Sequence, residues 1–157
     1  MTDPEELNER ERRAWYSFLA MQEDLHRHMN RQLLRDSGLS LSDFAVLSAL
    51  THDSDGSLRI FELRERLRWE KTRLTHHISR MISRGLIERR PCAEDSRGAV
   101  VALTPEGRDA IDKAAPLHVI DVRRTFLDAV SPRQLDALAA LSEAVLESIR
   151  EQEAAAD

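Results

Sequence analysis

The chain has 157 residues, enough for one domain with a proper core. Its formal charge is −5 and its sequence pI about 5.7, a balance that argues against a nucleic-acid partner if it is spread evenly. An apolar fraction of 41% and a charged fraction of 32% exclude a wholly disordered chain. The single cysteine, Cys92, excludes a disulfide scaffold and a cysteine-rich zinc site. No apolar run approaches the roughly 20 residues needed to span a bilayer. The start, Met1 to Arg13, is acidic and polar, unlike a secretory signal. The expected compartment is the cytoplasm, with no membrane partner.

From Glu9 to Arg35, Trp15, Phe18, Leu19, Leu25, Met29 and Leu33 recur at the helical period, and Gly38 should end this long amphipathic helix. Ser40 is a candidate N-cap for a second helix, with Asp43 in the capping-box position and Leu39 and Phe44 spaced as a hydrophobic staple. Phe44, Leu47 and Leu50 are its expected core face. After turn chemistry at Asp53 to Gly56, Ile60, Leu63 and Leu67 mark a short third helix. Leu74, Ile78, Met81 and Ile82 mark a fourth, ending at Gly85.

The period then changes. Leu86 to Arg90 and Ala99 to Leu103 read as two strands joined by the turn-rich Pro91 to Gly98, a β-hairpin. Thr104-Pro105-Glu106 caps and opens the next helix, which Pro116 should kink or break. Ser131-Pro132-Arg133-Gln134 opens the last helix with a capping box, and Leu135, Leu138, Leu141, Val145 and Ile149 form its stripe. Glu151 to Asp157 reads as a frayed tail. The expected architecture is one mainly α domain over 1–157. A helix-turn-helix with a small two-stranded β-wing occupies 40–104, and helices over 8–36 and 105–150 flank it. These outer helices carry more apolar surface than a small central module can cover, which points to a two-fold homodimer.

Charge is segregated along the chain. Between Arg59 and Arg97 there are eleven cations and six acids, a balance of +5, which leaves −10 for the remainder. A basic module between acidic flanks is compatible with DNA, so the whole-chain objection weakens. On a helical projection, Thr72, His76, Ser79 and Ser83 lie opposite the Leu74 stripe, flanked by Arg73, Thr75 and Arg80, and this face has no carboxylate. Hydroxyls and guanidinium groups suit phosphates and base edges in a major groove. Thr72 and Thr75, near the helix start, are placed to share a phosphate with free backbone N–H groups. His77 sits nearer the core edge and is expected to pack. In the wing, Arg89 and Arg90 are candidate phosphate clamps. Arg97, beside Gly98, is a candidate minor-groove reader, with Asp95 placed to hold its guanidinium or to tie the wing to the helices.

The order of elements, the helix ending in Arg84-Gly85-Leu86-Ile87, the wing Asp95-Ser96-Arg97-Gly98 and the exit Leu103-Thr104-Pro105-Glu106-Gly107 together resemble the multiple antibiotic resistance regulator (MarR) family, over roughly Asn8 to Arg150. The resemblance implies a bacterial, homodimeric winged helix-turn-helix transcription factor. Such factors bind double-stranded DNA at palindromic operators, usually repress, and are often released by a small-molecule effector. It assigns Thr72 to Ser83 to the recognition helix and Arg97 to the wing arginine. It places effector pockets between the dimerisation helices and the DNA-binding module, where Trp15, His26 and His118 are candidate lining residues. Oxidation-sensing relatives carry the reactive cysteine in the first helix. Cys92 lies in the wing, so a redox-responsive regulator through Cys92 stands only as an alternative, beside a winged-helix adaptor without DNA binding. Ligand sets for a metal are absent: His26 and His28 point to different faces, as do His76 and His77, and His52 with Asp53 and Asp55 reads as a solvated turn. With no Gly-rich phosphate loop or Gly-x-Ser-x-Gly motif either, no enzyme, cofactor or metal is expected.

Overall fold

The computed structural model describes residues 6–91 and 99–156. The elements in chain order are α1 (Glu9–Ser37), α2 (Leu41–Thr51), β1 (Ser57–Arg59), α3 (Ile60–Leu67), α4 (Lys71–Ser83), β2 (Ile87–Pro91), β3 (Ala99–Leu103), α5 (Pro105–Thr125) and α6 (Pro132–Ala156), with a short 3-10 turn at Leu127–Ala129. The chain forms two compact units, one reaching His118 and the other spanning Val119–Asp157.

The helix boundaries follow from capping chemistry. Asn8 and Glu11 exchange side-chain and backbone hydrogen bonds at the start of α1, and Gly38 closes that helix in the left-handed conformation at φ 72°. Ser40 and Asp43 form the expected capping box on α2. Ser131 and Gln134 form one on α6, where the Gln134 carboxamide accepts from the Ser131 N–H at 2.8 Å. Two boundaries differ from expectation: Pro116 does not break its helix, and the last helix runs further. Helix α5 runs through Pro116 without interruption, and α6 stays helical to Ala156, so most of the expected tail is ordered helix. Proline removes one backbone donor and crowds one carbonyl, a penalty that the rest of a 21-residue helix offsets.

The sheet has three strands, not two. β1 pairs antiparallel with β3, which pairs antiparallel with β2. β1 is only three residues long, too short to show an alternating pattern, and it falls between the expected turn and the expected third helix. In the first unit Val46, Leu47 and Leu50 of α2, Leu63 of α3, Leu74, Ile78 and Met81 of α4, Ile87 of β2 and Val101 of β3 pack into one buried cluster, joined by Ile111 and Ala114 of α5. Phe44 is half-buried against this cluster. Outward-facing positions on α4 are therefore fixed by a stripe that has no other place to go.

The two sequence motifs flanking the wing meet in space. The Thr104 hydroxyl donates to the Gly85 carbonyl at 2.6 Å and accepts from the Gly107 N–H at 3.0 Å. A Cβ on Gly107 would lie 1.9 Å from the Leu86 carbonyl oxygen, so only glycine lets α5 start this close to the entry of β2. Arg84-Gly85-Leu86 and Thr104-Pro105-Glu106-Gly107 thus form one joint. It sets where β2 leaves α4.

Candidate nucleic-acid interface

Helix α4 carries its sequence-predicted face to the surface. Thr72, Arg73, Thr75, His76, Ser79, Arg80 and Ser83 are all exposed, while Leu74, Ile78 and Met81 are fully buried. No Asp or Glu lies within the helix. The result is a polar, cationic ridge one helix wide. The Ser79 hydroxyl donates to the Thr75 carbonyl at 3.1 Å and that of Ser83 to the Ser79 carbonyl at 3.0 Å. With their protons turned back into the helix, these hydroxyls face outward as acceptors.

The arginines are held in different ways. The Arg73 guanidinium lies over the Trp69 indole, 4.0 Å from its centroid, and an amino group reaches within 3.5 Å of the Ser42 hydroxyl oxygen. Arg89 and Arg90 are exposed on β2. Arg90 donates from Nε to Glu88 at 2.7 Å, so its charge is already shared within its own strand. Asp95, Arg97, Gly98 and Cys92, with the rest of the expected hairpin tip, lie outside the described residues.

Behind the ridge sits a polar cluster that sequence reading recovered only in part. Asp43, expected as a capping residue, is buried, and its carboxylate does more than cap. Oδ2 accepts from the Ser40 N–H at 2.9 Å and from Arg84 Nη1 at 2.7 Å, while His77 Nε2 lies 2.9 Å from Oδ1. Arg84 also donates to the Gly38 carbonyl at 3.3 Å. Burial pushes the Asp43 carboxyl up, but the Arg84 guanidinium and the Ser40 cap outweigh it and hold the group below its usual value. For His77 burial wins. It lowers the imidazole pKa against the opposing Asp43, with Arg80 and Arg73 adding to the lowering, so His77 is neutral at pH 7. As expected it is packed, with its side chain 13% exposed. Asp43, His77 and Arg84 together pin α4 to α2. The capping pattern exposed Asp43. Nothing local signals Arg84, 41 positions away, and the Trp69-to-Arg73 spacing of one helical turn is the one cue to the stacked pair.

The three candidate pocket residues do not share one environment. Trp15 and His26 are exposed on α1, whereas the His118 ring packs on Phe44 with centroids 4.4 Å apart. An open cavity of about 540 Å³ is lined by Phe44, Ala45, Ser48 and Ala49, with His52 and Arg66 at its polar side. No described helix is long and apolar enough to cross a membrane.

Known proteins share both the sequence and the arrangement. The MarR family profile matches residues 37–98, the stretch from the end of α1 to the residue before β3. AbsC, a MarR family transcriptional regulator from Streptomyces coelicolor, is 31% identical and superposes with a TM-score of 0.87 over 93% of this chain and 98% of its own. Sco3205, a MarR family transcriptional regulator from the same organism solved in complex with DNA, is 30% identical, with a TM-score of 0.87 over 92% of this chain and 94% of its own. YkoM, an HTH-type transcriptional regulator of Bacillus subtilis (strain 168), is 29% identical over 111 residues, 69% of this chain and 70% of its own. With its helix-turn-helix, its wing strands and these relatives, the chain belongs to the MarR family of transcriptional regulators.

Proposed function

We propose that this chain is a homodimeric, sequence-specific DNA-binding repressor that sits on a palindromic operator and is released by a small-molecule effector. In this reading α4 enters the major groove. Arg73 and Arg80 contact bases or phosphates, and Thr72, Thr75 and His76 contact the backbone near the helix start. Ser79 and Ser83 accept from base amino groups. Arg89 and Arg90 clamp phosphates at the foot of the wing, and Arg97, steadied by Asp95, reads an adjacent minor groove. The observation that carries the reading is the exposed face of α4, seven polar side chains without one carboxylate. The structure of Sco3205 with DNA supports it.

The outer helices, over 8–36 and 105–150, support the dimer. No residue of α6 is buried, and Leu141, Val145 and Ile149 are 56%, 52% and 45% exposed. A second copy is the simplest cover for such a stripe, and two-fold symmetry then presents two α4 helices to two half-sites. Repression and effector release rest on the family's common behaviour. The test is fluorescence anisotropy with a duplex drawn from upstream of the gene and a shuffled duplex of equal length. At least a hundredfold preference for the natural duplex is expected. Equal affinity for both would overturn sequence-specific binding.

A further inference from the structure

A second role emerges at the start of α4, where an aromatic ring holds a cation that forms no ion pair among the described residues. We propose that Trp69 is a positioning residue for DNA contact, holding the Arg73 guanidinium in its reading pose before DNA arrives. This rests on α4 being the DNA-reading helix. Trp69 is the last residue but one before α4, half-buried, and packs against the core cluster that contains Leu74. Its ring is fixed from a second direction by His77, whose imidazole meets it edge-on at 5.7 Å and 79°. His77 is itself 2.9 Å from Asp43, which Arg84 and Ser40 anchor. A chain of contacts therefore runs from the α2 cap through Asp43, His77 and Trp69 to Arg73, ending 4.0 Å above the indole.

The choice of partner has a physical consequence. A carboxylate would hold an arginine still but would neutralise it and occupy its donors, as Glu88 does for Arg90. An indole face attracts the guanidinium through its quadrupole and leaves the N–H edge and the full charge available. Among the described residues Arg73 forms no ion pair; its hydrogen-bond contact is the Ser42 hydroxyl at 3.5 Å. An unrestrained arginine loses side-chain entropy on docking, and a stacked one has already given up much of it. Trp69 thus converts an exposed, mobile cation into a preorganised donor without lowering its charge.

The experiment is a double-mutant cycle read by anisotropy on the upstream duplex. Trp69→Leu keeps apolar bulk and removes the π face, Trp69→Phe keeps a face, and Arg73→Ala removes the cation. Trp69→Leu should weaken binding about three- to tenfold and Trp69→Phe no more than about twofold. In an Arg73→Ala background Trp69→Leu should cost nothing further. Additive losses, or a Phe variant as weak as the Leu variant, would overturn the positioning role while leaving DNA binding by α4 intact. Failure of the wild-type protein to bind the duplex would overturn both. A measurement on the free protein guards against a Trp69→Leu variant that does not fold. In a Trp15→Phe protein, where Trp69 is the sole tryptophan, Arg73→Ala should alter the indole emission. Unchanged emission would show that no stack exists in solution.

Discussion

Helices α4 and α6 carry similar apolar stripes and meet opposite fates. In α4, Leu74, Ile78 and Met81 are fully buried within the chain, and the polar side is left free. In α6 nothing is buried, and Leu141, Val145 and Ile149 remain about half exposed. Covering each of these three would gain about 1 kcal/mol. The contrast separates two kinds of amphipathic helix. The stripe of α4 serves to aim its polar face, whereas the stripe of α6 is left exposed. In the proposed function each has its part: α4 would be the reader, and α6 would bring two readers together.

The contrast can be broken from the α6 side first. Leu141→Glu with Val145→Glu should leave the first unit folded, because its core lies wholly elsewhere, yet give a monomer in sedimentation velocity. Duplex affinity should then fall about a hundredfold or more, since two linked half-sites become one. A dimer that survives both changes would remove α6 from the interface. A smaller effect is expected on the reading face. Arg80→Ala should cost about 1–3 kcal/mol of duplex affinity if the side chain makes a bidentate base contact. Arg90→Ala should cost less, because Glu88 already shares its charge. The reverse ranking in titration calorimetry would place the main contact on the wing.

The smallest effect concerns the polar cluster that seats α4. The His77 pKa is lowered by folding. The unfolded chain therefore takes up a proton first as pH falls below the ordinary histidine value of about 6.5. Stability is fully present above that value and is lost as pH drops toward the lower folded pKa. Asp43, also lowered, adds a second loss only below its own ordinary range, near 3.8. Between about pH 7.5 and 5.5 the melting temperature should fall in the wild type and fall less in His77→Gln. Parallel curves would remove His77 from the account.

Local chemistry made most of the fold legible. The Ser40–Asp43 and Ser131–Gln134 boxes, the stop at Gly38 and the outward face of α4 are each written in residues within a turn of one another. What escaped was long-range or too short. β1 has three residues and owes its existence to pairing with β3 more than 40 positions later. The Asp43–Arg84 pair joins residues that no periodicity connects, so the capping role of Asp43 hid its second one. Pro116 shows the converse, a local helix-break signal overruled by the helix around it. In the candidate interface the seven residues expected on the outer face of α4 are exposed, and Lys71 joins them. The stacking of Arg73 on Trp69 was not legible in the sequence, because a tryptophan before a helix reads first as core.

The central claim is that α4 meets DNA through its cationic, carboxylate-free face. The most direct test is the affinity for the upstream duplex as a function of salt. Each phosphate neutralised should add about −0.9 to the slope of log affinity against log salt. A dimer making several such contacts should lose about a thousandfold between roughly 50 and 200 mM. The same slope should flatten when Arg73 and Arg80 are both replaced by alanine. Affinity that does not change with salt, or a slope indifferent to those two arginines, would contradict the account.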